Sequence, residues 1–183
     1  SARADLPTPS GPSMARYRKS KVQRVYQPET STPTRRRALR YHWRVRIDRI
    51  ELRLLRLPLV RFFETSFGRV HEREFLVVTV DGDGASGVGE CVADASPFYS
   101  AETTRTAWHI ITVFLAPLVL GRSFDHPREI FGALAAVRGH QMAKAAVEMA
   151  AWDLAARQRG VSLSALLGGE DRASIDSGVS IGI

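Results

Sequence analysis

Lysine is nearly missing from this chain: of 26 basic residues only Lys19, Lys21 and Lys144 are lysines. Cysteine is scarcer still, with Cys91 alone. A single cysteine excludes a disulfide framework and any cysteine-based metal site, and it suits a reducing compartment. Cys91 reads as a small buried hydrophobe rather than a reactive thiol. No apolar run approaches the roughly 18 residues that a membrane helix needs, and no signal-type apolar segment stands near the start. The expectation is a soluble, cytoplasmic protein without a membrane partner. Acidic residues are short in one region only. Residues 1–46 hold twelve Lys and Arg against Asp5 and Glu29, a charge of +10, whereas the rest carries −3. The formal charge of +7 therefore belongs to the first 46 residues, and the body offers no stripe for phosphates. Nucleic acid is a disfavoured partner.

What is present divides into a tail and a body. Residues 1–46 are rich in Pro, Ser, Thr and Arg with no sustained apolar period, so a disordered basic tail is expected. Three readings of it stand: a nucleic-acid arm centred on Arg35, Arg36 and Arg37, an organelle transit segment, or upstream sequence that is not native. The body holds enough of the chain's 44% hydrophobic residues for a core. From Ile50 onward "IELRLLRL" alternates as a half-buried strand that Pro58 should end. "RFFETSFGR" should be a loop, "REFLVVTV" a second strand, "DGDG" at 81–84 a hairpin turn and "ASGVGECV" a third strand.

The period then changes to that of helices. Ser100 is placed to cap a helix with Ala107, Ile110, Ile111 and Phe114 on one face, and Pro117 should break or kink it. Pro127 should open a short helix. "HQMAKAAVEMAAWDLAARQRG" predicts the longest helix, with Met142, Ala145, Ala146, Met149, Trp152 and Ala156 on one stripe and Gly160 at its end. Small residues along that stripe imply close approach to another backbone. Lys144 and Glu148 read as a solvated pair four residues apart. Glu148 and Asp153 fall on different faces and are not paired carboxylates. His71, His109, His126 and His140 have no metal-ligand spacing. The last ten residues, "SIDSGVSIGI", read as a buried strand. Three strands followed by helices make an α+β layer.

Four strings, "LPLVRFFETSFG" (57–68), "GVGECVADASPFYSAE" (87–102), "GHQMAKAAVEMAAWDLAA" (139–156) and "GVSIGI" (178–183), stand in the order and spacing of one family. Together they resemble the N-terminal capping domain of the enolase superfamily, muconate-lactonizing subgroup. The nearest family within it is that of o-succinylbenzoate synthase and N-acylamino acid racemase. The resemblance implies an enolase-type capping domain over 47–173 and the first strand of a TIM-like barrel at 174–183. On that reading the rest of the barrel is missing, and the segment by itself is inactive.

Such enzymes remove a proton α to a carboxylate. The resemblance implies a divalent cation (Mg or Mn) holding the carboxylate while a lysine acts as base. In the synthase the reaction is a dehydration in menaquinone biosynthesis. The implied partners are a small-molecule carboxylate, the chain's own barrel domain and further copies in a homo-oligomer. The family's Lys-x-Lys pair lies on the second barrel strand, so Lys19-Ser20-Lys21 in the tail is a coincidence of spacing. No catalytic residue and no metal ligand is therefore expected here. What this segment supplies is the substrate pocket's lid. By resemblance Phe63 and Phe67 are wall residues of the first cap loop, and Asp94 lies in the second, where the racemase-type pattern has an apolar residue. That departure argues for a polar or cationic side chain on the substrate, or for a carboxylate facing solvent. Ser180 matches a pocket-lining position, and Glu90 a structural acid that anchors a loop. Dipeptide epimerase, cycloisomerase and a non-catalytic nucleic-acid-binding module stand as alternatives.

Overall fold

The computed structural model describes residues 21–26 (by backbone), 44–66, 68–169, 174 and 176–178. Strands β3 (Arg49–Thr65), β4 (Gly68–Gly82) and β5 (Ala85–Cys91) form an antiparallel meander. The β4–β5 turn falls on Asp83-Gly84, with φ of 47° and 79°. Positive φ at both positions is what a primed two-residue turn requires. Because side chains alternate across a strand, register sorts the sheet into rows on one face. These rows are Ile50–Val80–Gly87, Leu52–Val78–Gly89 and Leu54–Leu76–Cys91. Ile50, Val80, Leu52, Val78, Leu76 and Cys91 are fully buried. Burial of each of the large aliphatic side chains contributes about 1.5–3 kcal/mol.

The glycines that complete two of these rows are where α4 (Gln141–Arg159) crosses the sheet. A Cβ on Gly87 would stand 2.1 Å from the carbonyl oxygen of Ala150, and one on Gly89 2.1 Å from that of Ala146. Neither site has room for a side chain, so the helix backbone rests directly on strand backbone. The expected close approach is present, but along a different stripe. Ala143, Lys144, Ala146, Val147, Ala150, Ala151 and Leu154 are the buried arc, whereas Met149 is exposed and Ala145 and Trp152 are half-buried. Alanines on every side of α4 leave its phase undetermined by hydropathy, and the two sheet glycines set it instead. Lys144 is thereby carried into the interior at 4% exposure, not into a solvated pair. Glu148 instead faces the Trp152 indole N–H at 3.4 Å.

β5 is an edge strand, and α4 closes part of that edge: the Asp153 carboxylate accepts the Val88 N–H at 2.8 Å. Gly160, with φ 64°, ends α4 as expected. The preceding helical block departs from expectation at both ends. Its cap is Thr103 rather than Ser100, in a reciprocal capping box with Thr106. α1 (Thr104–Ile110) then passes through a π turn (Ile111–Leu115) into α2 (Ala116–Val119). The Ala116 N–H bonds the Ile111 carbonyl across the wider turn, so Pro117 follows without breaking the helix. The buried residues run at intervals of four, Ala107, Ile111, Leu115 and Val119, and Phe114 is turned out to solvent. α3 (Arg128–Leu134) starts after Pro127, and α5 (Leu163–Leu166) is capped by the Ser162 hydroxyl. A two-stranded pair, β2 (Val45–Arg46) with β6 (Ser123–Phe124), ties the chain's entry to the helical block.

Two further expectations need correction. Residues 21–26 are not disordered: β1 (Lys21–Tyr26) pairs antiparallel with β3, from Lys21 opposite Leu54 to Tyr26 opposite Arg49. The edge of β3 supplies the backbone partners that the segment lacks by itself. The remaining tail expectations lie outside the described residues. The loop expected at 61–69 is strand on both sides of its turn, because β3 runs on through Pro58. Proline is tolerated there because the β3–β4 register shifts between Pro58 and Phe63, as at a bulge. The strand expected at 174–183 lies mostly outside the described residues. Ser174, Asp176, Ser177 and Gly178 carry no regular structure.

Candidate functional site

β1 covers β3 only to Leu54, and β5 ends at Cys91 opposite Leu76. From Leu55 onward β3 and β4 therefore project as a two-stranded ribbon. Val60, Phe62, Phe63 and Val70 are exposed on it, whereas Leu55, Leu57 and Leu59 are half-buried. Phe63 is 51% exposed, with the Arg73 guanidinium 5.5 Å from its ring centre. Phe62 carries Arg69 at 4.6 Å and tilts against His71 at 5.7 Å. These cation–π contacts fix the rings on the ribbon without burying them.

A second segment, 92–103, leaves β5 at this same end of the sheet. Phe98 and Tyr99 at its tip are 95% and 84% exposed. Its root is fixed at Asp94, which is half-buried, bridges to Thr103 and accepts the Thr104 N–H on its carbonyl at 2.9 Å. Phe98 and Tyr99 are not among the residues expected at the site. Two adjacent aromatics between Pro97 and Ser100 were a signal, since a turn-forming context seldom buries them.

Of the four residues expected at the site, Phe63 stands on the ribbon and Asp94 at the root of the second segment. Phe67 and Ser180 lie outside the described residues. Glu90 is exposed on β5. Two acids that sequence reasoning did not single out do the anchoring. Glu74 accepts the Thr104 hydroxyl at 2.7 Å and the Arg56 Nε–H at 2.6 Å. Burial works to raise its pKa, but the Thr104 hydroxyl and the Arg56 guanidinium prevail and hold it below the ordinary carboxylate value. Glu102 accepts the N–H groups of Met142 (2.9 Å) and Ala143 (3.1 Å), at the first turn of α4. His140, left-handed at φ 52°, makes no side-chain cap there, so the acid serves the free amides and the positive end of the helix. Glu102 lies 40 residues upstream of Met142, beyond the reach of local sequence pattern.

Cys91 is fully buried, and burial pushes its thiol up. Among the described residues no three His, Cys, Asp or Glu side chains converge to hold a metal ion. The divalent cation implied by the resemblance thus finds no ligand set among the described residues. Arranged this way, the described residues can present an aromatic surface with one fixed carboxylate-bearing root.

The sequence profile of the mandelate racemase / muconate lactonizing enzyme N-terminal domain matches residues 49–168. The chain belongs to this family. It is 46% identical over 140 residues to the o-succinylbenzoate synthase of Geobacillus stearothermophilus, covering 76% of this chain and 37% of that one. To the N-succinylamino acid racemase of Thermus thermophilus it is 43% identical over 139 residues, with coverage of 76% and 37%. An enolase-superfamily member from Enterococcus faecalis superposes with a TM-score of 0.64 at 39% identity, over 72% of this chain and 35% of that one. The fold is that of an enolase-superfamily N-terminal domain, α+β with an antiparallel sheet. The chain spans little more than a third of the length of these relatives. β1 falls outside the span that the family profile matches.

Proposed function

We propose that this chain is the specificity cap of an enzyme that abstracts a proton α to a carboxylate, of o-succinylbenzoate synthase or N-acylamino acid racemase type. In this reading it works against a barrel domain that supplies the base and the ligands of a divalent cation. The observation that carries the reading is the pair of projecting segments. The ribbon and residues 92–103 leave one end of the sheet and expose Phe62, Phe63, Phe98 and Tyr99 on a well-packed support. A carbanion next to a carboxylate reacts with water unless the site is covered, and exposed aromatics on a rigid base suit a cover that also grips the substrate's side chain. Phe63 and Phe67 serve as walls of that pocket. Asp94 sets a preference for substrates with a polar or cationic group near the second segment. Ser180 contributes from the barrel side.

A chimera tests this. Residues 47–173 replace the corresponding cap of the Geobacillus stearothermophilus relative, and dehydration and N-succinylamino acid racemisation are both assayed. The expected chimera keeps at least one reaction, and Phe63→Ala in it raises KM more than it lowers kcat. A folded chimera with neither reaction would overturn the proposal.

A further inference from the structure

One carboxylate joins the ribbon to the helix start on which the 92–103 segment ends. Glu74 lies on β4 opposite Arg56, in the row that follows Leu54–Leu76 at the root of the ribbon. One of its oxygens accepts the Arg56 Nε–H, and the other accepts the hydroxyl of Thr104, the first residue of α1. Thr104 in turn donates its N–H to the Asp94 carbonyl, and Thr103 beside it bridges to Asp94 and closes the capping box. Glu74 is well covered, its side chain 11% exposed, whereas Arg56 is half exposed. A short, shielded, charge-assisted contact holds its geometry far better than a surface ion pair.

From this we infer that Glu74 is a positioning residue that clasps the ribbon to the 92–103 segment, so that the two move as one unit. A carboxylate suits the task because it offers an acceptor oxygen to each side at once. Leucine offers none and releases both partners, whereas a glutamine N–H can still donate to the Thr104 hydroxyl. The consequence for substrate selection, a fixed distance between Phe63 and Asp94, rests on the function proposed above. The clasp itself does not.

Amide hydrogen exchange on the full chain separates the two. Glu74→Leu and Thr104→Val are each expected to speed exchange at the Thr103, Thr104 and Thr106 amides by about tenfold. Amides of α4 between Ala146 and Leu154 should be unchanged. Thr104→Ser, which keeps the hydroxyl, should match the wild type, and the double variant should exceed neither single one. Unchanged exchange at 103–106, an equal rise throughout α4, or additive effects in the double variant would each overturn the clasp. A failed chimera with an intact clasp signature would count against the function alone.

Discussion

The contact of α4 with β5 sets a sharp test, because it leaves no space for one methyl group. In Gly89→Ala the new Cβ would sit 2.1 Å from the Ala146 carbonyl oxygen and 2.8 Å from the Ala150 nitrogen. Ordinary contact begins near 3.4 Å, so the helix must retreat by about 1.3 Å. The atoms it meets are backbone, which cannot swing aside as a side chain would. Overpacking of this kind costs about 1–3 kcal/mol, and a rigid neighbour places it at the upper end. Alanine recovers about 0.5–1 kcal/mol by restricting the unfolded chain. The net expectation is a loss of about 2 kcal/mol, or about 4–8 °C in Tm for a domain of this size. Urea titration and thermal melts followed by circular dichroism read this directly. Gly132→Ala serves as the opposite case: it lies within α3 with nothing inside 4 Å of the new carbon. There alanine should stabilise by about 0.5–1 kcal/mol. If Gly89→Ala melted at or above the wild type, the packing argument for the glycine rows would be wrong.

Other outcomes follow from the anchoring acids and the buried thiol. Glu102→Ala leaves the Met142 and Ala143 amides without their acceptor and should cost about 1–2 kcal/mol in urea titrations, with amides of the first turn of α4 exchanging faster. The Glu74 pKa is lowered in the folded state, so its contribution is full above the ordinary value of 4.5 and is lost as pH falls through the lowered one. Wild-type stability should therefore decline more steeply below about pH 4.5 than that of Glu74→Gln, and parallel curves would refute the assignment. Cys91, buried and with its thiol pushed up, should resist an aromatic disulfide reagent at neutral pH and react at once when urea unfolds the chain.

Much of the fold was legible wherever local chemistry decides the matter. Asp83-Gly84 fixed the hairpin because few residues accept two successive positive φ values, and Gly160 marked the end of α4 for the same reason. The site was less legible because non-local contacts override local signals there. Pro58 ordinarily ends a strand, yet a register shift lets β3 pass through it and turns an expected loop into a ribbon. Pro117 ordinarily breaks a helix, yet the π turn absorbs it. Phe114 was expected inward on a 3.6-residue period, and the wider turn swings it out. The arc of α4 was misjudged because its alanines fit any face and glycines more than fifty residues upstream decide. Glu74 and Glu102 bear on groups 30 and 40 residues away, and no short-range pattern shows that.

The sheet's two margins, β1 and β5, bear on how this molecule meets others. On one side a segment from outside the family span lies along β3 as far as Leu54, and on the other a helix acid occupies the Val88 amide. A neighbouring chain seeking to continue the ladder meets β1 rather than β3 on the first side, and on the second finds the Val88 amide already taken. Among the described residues no strand pairs with the outer margin from Leu55 to Thr65, and there Pro58 withholds a donor while Arg56 and Arg61 add charge. Strand-by-strand growth is thus discouraged along the arm that bears the exposed rings of Phe62 and Phe63.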